Sequence, residues 1–416
     1  MRWRLLVWTL MLGLPSAAFP ADENRGSARG LYDGHPPVGV VARIGSGLSE
    51  VPASRVPCRN CHGRDGRGGV EAGSAVPPIT PAALTSARLR RPAYDLALFA
   101  AAVREGRSSS GRRLDPAMPR FALDDAAITD LWASLPEREA EETTGVEAQT
   151  VRFAVASRGG VDLPALMQAA WRERGDPFLH GRRIRFERSE PARSDVLASL
   201  FDQDAPSSPA PRLFPFAFWS DGDRSDEVRG IVADRSRQVE ALVERAPPGA
   251  RRIAERGQIS AQISALPAPS GAGGAWDDLS DVTVLSGPAL VLASPAGWST
   301  LCGRLGEGAH LFAPLHDVEP ILPCLRAAGA TMTVADPSPQ ASEDRQHPFA
   351  VRLVRTAAAI LEEALVQAGR DLTRGRLMQA IGTIRRDDLP WPAIDFTRYP
   401  VSGSRSIEVR SIRPRS

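Results

Sequence analysis

Lysine is missing altogether from this 416-residue chain: all 51 basic residues are arginine, set against 49 acidic ones for a net charge of +2. So even a balance excludes a bulk electrostatic pull toward nucleic acid or an acidic membrane surface. Alongside abundant alanine, glycine and proline, the arginine-only usage reads as a genomic composition bias rather than a functional device. Cysteine and histidine are scarce, at four and six, which confines sulfur and imidazole chemistry to a few places. No second Cys or His pair stands at zinc-ligand spacing beside Cys58 and Cys61, since the other cysteines are Cys302 and Cys324. A G-x-S-x-G elbow is also lacking, so Ser157, His310, His316 and Asp317 do not add up to a hydrolase. No enzyme active site is expected. The apolar run from Leu5 to Leu14 is about half of the ~20 residues that span a bilayer, which argues against a stable membrane anchor.

What is present begins with an export signal. Arg2 and Arg4 precede the apolar run, and Ser16-Ala17-Ala18 follows it as a small-x-small cleavage site. There is no paired arginine and no cysteine at the cut. A Sec-type signal over residues 1–18 and a periplasmic mature protein are therefore expected. The rest of the chain is too long for one core and suits two or three domains.

Residues 58–62 read Cys58-Arg59-Asn60-Cys61-His62, the C-x-x-C-H signature of covalent haem attachment. Two cysteines one helical turn apart put both sulfurs on one side of a short helix, where they add to the two haem vinyl groups. The adjacent His62 then supplies the proximal nitrogen ligand. A thioredoxin-like reading would want a flanking βαβ pattern and has no need of His62. Haem is attached after export to unfolded chain, so the signal and this pentad imply each other. With no second C-x-x-C-H, one haem c is expected and a dihaem peroxidase is not.

An electron-transfer haem needs a sixth ligand. Met118 lies in Asp115-Pro116-Ala117-Met118-Pro119-Arg120-Phe121, a proline-braced loop that disfavours helix. The blander reading of Met118 is a buried gap-filler, and the other candidate ligand is His35, which beside Gly34 and Pro36-Pro37 reads better as the end of a surface turn. After the loop, Asp124 is placed as an N-cap, and Ile128, Leu131, Trp132 and Leu135 fall on one helical face. The order of pentad, Met-Pro loop and amphipathic helix resembles class I cytochrome c over residues 22–136. That resemblance implies an all-α fold, a first helix at Arg29-Gly30-Leu31-Tyr32 that crosses the last helix near Trp132, and a middle helix within Pro92–Gly106. It also implies axial ligation by His62 and Met118, which raises the reduction potential and leaves no open coordination position. The stretch from His35 to Val56 exceeds the family minimum and is expected as a loop over one haem edge. Arg91 and Tyr94 read either as propionate partners or, for Arg91, as a solvated charge.

Residues 137–150 are acidic and lack an apolar period, which predicts a linker. Beyond it, Val151, Phe153 and Val155 alternate as a strand, Asp162 caps a helix carrying Leu163, Leu166, Met167 and Trp171, and Gly181–Phe186 reads as the next strand. Strand–helix–strand at this length predicts a parallel βαβ unit. Near the C-terminus, Phe349–Ala368 predicts a long helix, Thr373 caps another, and Ile407–Ile412 predicts a strand. The opening Val-Arg-Phe-Ala-Val strand, His180-Gly181-Arg182-Arg183-Ile184 and the Ala368-Gly369-Arg370-Asp371-Leu372-Thr373 turn resemble the type I periplasmic solute-binding proteins of ABC transport, the branched-chain amino-acid receptor-like group. The resemblance implies that residues 151–416 form two α/β lobes with parallel sheets, here shortened, closing on a small organic ligand. The loop Ser157–Val161 lacks that family's usual Gly-Pro pattern, and Pro247–Gly274 is rich in Ala, Pro, Gly and Ser, so no ligand residues are assigned. Cys302 and Cys324 leave a disulfide open.

The expectation is a multidomain periplasmic monohaem cytochrome that passes single electrons. Its binding-protein-like domain would dock a redox partner, such as a dehydrogenase or another cytochrome, or sense a small molecule. The alternative is a solute receptor whose ligand-driven closure modulates the attached haem.

Overall fold

The computed structural model describes residues 28–71, 73–157, 161–189, 195–202, 210–215, 227–256, 276–315, 322–337, 348–391 and 393–412. The signal segment 1–18, residues 158–160, most of Pro247–Gly274, and His316 with Asp317 fall outside them. The chain divides into two compact units, residues 1–139 and 140–416.

In the first unit, α1 (Ala28–Leu31) and α2 (Cys58–His62) flank a hairpin, β1 (Val41–Ile44) and β2 (Ser49–Pro52). β1 also pairs antiparallel with β5 (Arg120–Phe121), setting Ala42 opposite Phe121 and Arg43 opposite Arg120. A second hairpin, β3 (Gly69–Glu71) with β4 (Ser74–Val76), follows α2. The unit is therefore not all-α, and the stretch 35–56 is not a plain loop. Ala42 is fully buried, and the turn needs the left-handed backbone of Gly45 and Leu48. These strands are four residues or shorter, and β1 finds its second partner only at Arg120–Phe121, so periodicity could not show them.

The helices follow the sequence signals closely. α3 (Pro81–Thr85) is capped by Thr80. α4 (Leu96–Glu105) starts at Asp95, whose carboxylate accepts from the Leu98 N–H, and ends on left-handed Gly106. α5 (Asp125–Glu142) is capped by Asp124, which accepts from the Ala127 N–H at 2.7 Å. It buries Ile128, Leu131 and Leu135 with Leu31, Tyr32, Phe99 and Phe121. Trp132 meets Phe99, ring centroids 5.0 Å apart, while Tyr32 sits under the Arg138 guanidinium. α5 runs on through Pro136, so residues 137–142 of the expected linker are helix. Arg138 holds Asp33 through two hydrogen bonds, which fixes that turn despite its acidic, apolar-poor composition.

Among the described residues the second unit is α/β with two large sheets and a two-stranded ribbon, Arg385–Arg386 with Ile394–Asp395. β6 (Thr150–Ala156), α6 (Leu163–Glu173) and β7 (Arg183–Ser189) form the expected parallel βαβ, with Asp162 capping α6. β8 (Ala198–Leu200), β9 (Arg212–Leu213) and β10 (Val228–Arg229) complete a five-stranded parallel sheet of order β10-β9-β8-β6-β7. The chain then enters a six-stranded sheet through α7 (Arg235–Arg245), β11 (Arg251–Ala254), β12 (Asp277–Asp278), β13 (Pro288–Leu292), β14 (His310–Pro314) and β15 (Thr331–Asp336). These strands are parallel, and a final strand, Glu408–Ile412, closes the edge antiparallel to β15. The near-continuous apolar runs of β13 to β15 are those of a sheet covered on both faces. Val291, Leu311 and Val334 pack with Trp298 and Leu301 on one side. Leu290, Leu292 and Phe312 pack with Val239 and Leu242 of α7 on the other. Between these two excursions the chain returns to the first sheet: helices Pro348–Ala368 and Arg374–Gly382 supply Leu353, Leu361, Leu377 and Ile381 to the core around Phe153, Met167 and Trp171. Cys302 and Cys324 are bonded, joining helix Pro295–Cys302 to helix Leu322–Ala327.

Candidate functional site

The short helix α2 starts after Pro57, whose extended backbone bars helix upstream, and stops at Gly63 with φ of 77°. One turn is all that the pentad receives. His62 is 8 % exposed, and its Nδ1 lies 2.9 Å from the carbonyl oxygen of Pro77. An N–H donated there fixes the tautomer and leaves Nε2 as the nitrogen with a free lone pair. Burial lowers the imidazole's pKa, against the Pro77 hydrogen bond, which raises it. A neutral ring is the form that ligates iron.

Cys58, His62 and Met118 line the same cavity. Its wall is largely apolar, with Ile79, Leu84, Phe99, Val103 and Leu131 among the side chains, and Arg88, Arg91 and Arg112 also reach it. A largely apolar wall with a histidine, a methionine and a cysteine among its lining residues fits a haem. Cys58 is enclosed enough that burial pushes its thiol up to about 12. Cys61 stands one turn on along α2, half-buried, and does not contribute to the cavity wall. His35 is exposed, its N–H bonded to the Gly30 carbonyl.

Arg91 reaches the cavity, but its guanidinium also donates to the carbonyls of Ala83 and Ser86, at 2.6 and 2.9 Å, and lies 5.3 Å from the Tyr94 ring centre. It thereby closes the end of α3. The sequence reading missed Pro77, because a backbone carbonyl carries no residue signature. It also missed Arg88 and Arg112, which look like any other arginine in a chain with 51 of them.

In the second unit, the order of the five-stranded sheet reverses beside β6, so a crevice is expected outside the carboxyl ends of β6 and β8. Arg188 there bonds Ser157 and Asp162, each at 2.7 Å. Directly after β8 and β9, Phe201 and Phe214 take left-handed backbones, φ of 62° and 58°. A bulky residue seldom adopts that conformation. Among the described residues, no group of three or more His, Cys, Asp and Glu is placed to hold a metal ion, and no helix is long and apolar enough to cross a membrane.

The sequence matches no protein-family model and no curated protein. Among solved structures, the chain is similar to a possible leucine/isoleucine/valine-binding protein from Rhodopirellula baltica SH 1, at 13% identity and a TM-score of 0.45, covering 65% of this chain and 98% of that one. It is similar to an ABC transporter substrate-binding protein from Desulfitobacterium hafniense in complex with Leu, at 12% identity and 0.44, with 64% and 98% covered. A substrate-binding periplasmic protein from Ralstonia solanacearum is likewise similar, at 15% identity and 0.41, with 64% and 98% covered.

Proposed function

We propose that the protein is an exported, periplasmic monohaem c-type cytochrome that carries single electrons and has no enzymatic turnover of its own. The observation that carries this reading is the meeting of Cys58, His62 and Met118 at one apolar cavity. Bound haem would supply a one-electron couple. Cys58 and Cys61 would tether it, and His62, whose Nδ1 is held by the Pro77 carbonyl, would ligate the iron through Nε2. Met118 would supply the second iron ligand, and the apolar wall would keep water out, which favours electron transfer over chemistry at the iron. The partner is a periplasmic redox protein such as a dehydrogenase or another cytochrome.

The test is covalent haem. Protein produced with c-type maturation should retain haem through denaturation, and the double variant Cys58→Ala with Cys61→Ala should lose it. Haem that stays covalently bound in the double variant would sink the reading, as would a wild type that never acquires any.

A second reading concerns residues 151–416: the C-terminal unit binds a small organic molecule and reports it to the haem unit. The left-handed Phe201 and Phe214 at the strand ends favour it, since strained backbone gathers at ligand sites. Calorimetric titration of the full-length protein with organic acids, amino acids and aromatic acids should then give a saturable heat. Silence across that panel would leave partner docking as the role of this unit.

A further inference from the structure

The six residues Leu114–Pro119 form no helix or strand, yet a thioether is a neutral, weak donor that depends on its loop for placement. The loop is gathered by one side chain. Arg120 starts β5, where its backbone is opposite Arg43, and its guanidinium turns back over the loop. Nη1 donates to the carbonyl of Met118 itself, and Nη2 donates to the carbonyls of Asp115 at 3.1 Å and Leu114 at 3.4 Å. The same guanidinium lies on Gly106, where any Cβ would collide with it. Gly106 ends α4 with φ of 67° and accepts from the Leu114 N–H at 2.7 Å. Elsewhere the Asp115 carboxylate accepts from the Ala117 N–H, and the Gly45 N–H of the β1–β2 turn donates to the Pro116 carbonyl at 2.9 Å.

Resting on the haem reading above, we infer that Arg120, seated on Gly106, is the positioning residue that holds Met118 at its axial place. A fork of donors can bind three carbonyls at once, and a lysine ammonium satisfies them less completely. Without Arg120 the loop regains backbone freedom, and the sulfur spends more time away from the iron.

The experiment uses the full-length, haem-loaded protein and the variants Arg120→Ala, Arg120→Lys, Gly106→Ala and Met118→Ala. Four readouts follow the axial bond: the ferric thioether charge-transfer band, carbon monoxide uptake by the ferrous form, imidazole displacement, and midpoint potential. Arg120→Ala should weaken the band, lower the potential and let imidazole displace Met118 roughly tenfold more easily. Arg120→Lys should recover part of the loss. Gly106→Ala, which keeps the arginine but evicts it, should behave like Arg120→Ala. If Arg120→Ala keeps the wild-type band, potential and imidazole affinity while Met118→Ala loses them, Met118 is the ligand and the role given to Arg120 is wrong. If Met118→Ala is itself spectroscopically unchanged, the ligand assignment has failed and the inference falls with it.

Discussion

The Nδ1 of His62 lies 2.9 Å from the carbonyl oxygen of Pro77, and Gly68 sits behind that carbonyl. The Gly68 N–H donates to the His62 carbonyl at 2.8 Å, and a Cβ at Gly68 would press on the Val76 carbonyl and come 2.9 Å from the Pro77 oxygen. Gly68→Ala should push Pro77 off the imidazole at a cost of about 1–3 kcal/mol, given the left-handed φ of 70°. A proximal histidine that loses its acceptor donates less to ferric iron. The midpoint potential should rise with covalent haem retained, as spectroelectrochemistry can measure. A lower or unchanged potential would count against the orientation assigned to His62.

Thiol chemistry gives a prediction with a defined pH sense. With the Cys58 thiol pushed up to about 12 by burial, the fraction present as thiolate at pH 7 is on the order of one in 10⁵, against a few per cent for an ordinary thiol. In folded, haem-free protein, alkylation of Cys58 should be on the order of a thousandfold slower than in urea. Its rate should climb with pH beyond pH 10 rather than level off near pH 9. Cys61, less enclosed, should react first. Peptide mass spectrometry after timed labelling decides this, and equal rates for the two cysteines would refute the burial of Cys58.

Tyr32 should be a local weak point. Its hydroxyl donates to the Gly63 carbonyl at 2.8 Å, the residue that terminates the haem-motif helix. Tyr32→Phe keeps the ring beneath Arg138 but leaves that carbonyl only the long bond from the Gly66 N–H, at 3.4 Å. A loss of about 1–2 kcal/mol is expected in denaturant unfolding of the first unit. A change under 0.3 kcal/mol, roughly the scatter of such measurements, would show that water replaces the hydroxyl.

The bond between Cys302 and Cys324 closes a loop with a sequence separation of 22. In the chain-entropy account such a closure is worth roughly 3 kcal/mol. Cys302→Ser with Cys324→Ser should lower the stability of the second unit by about that amount and leave the haem spectrum unchanged. Loss of the native haem spectrum at the same denaturant concentration in the double variant would mean that the two units unfold together.

Legibility tracked how local each signal was. Asp124, Asp162 and Thr373 each cap the helix that follows, because a cap is written within four residues. The pentad and the proline-flanked Met118 stand out in the sequence as local patterns, and what the fold adds is that Cys58, His62 and Met118 line one cavity. The hairpin 41–52 and its pairing with Arg120–Phe121 stayed hidden, since its strands are short and their third partner is distant in sequence. Helix through Glu142 was missed because charged residues alone gave no apolar period, while Arg138 and Asp33 met only in three dimensions. In the second unit, the parallel order of β6 and β7 followed from the strand–helix–strand rhythm. That helices from 348 onward complete the core around Phe153 could not be read from either end.

That return of the chain has a consequence for the order in which the protein matures. The described core of the first unit comes from residues 31 to 135, so those packing partners are all present once that length has emerged. The sheet begun at Thr150 stays open until Leu353, Leu361 and Ile381 arrive, and the other sheet lacks its edge until Glu408–Ile412. During synthesis or export, a chain that starts at its N-terminus can therefore finish its haem-motif unit while the larger unit is still waiting for its last residues.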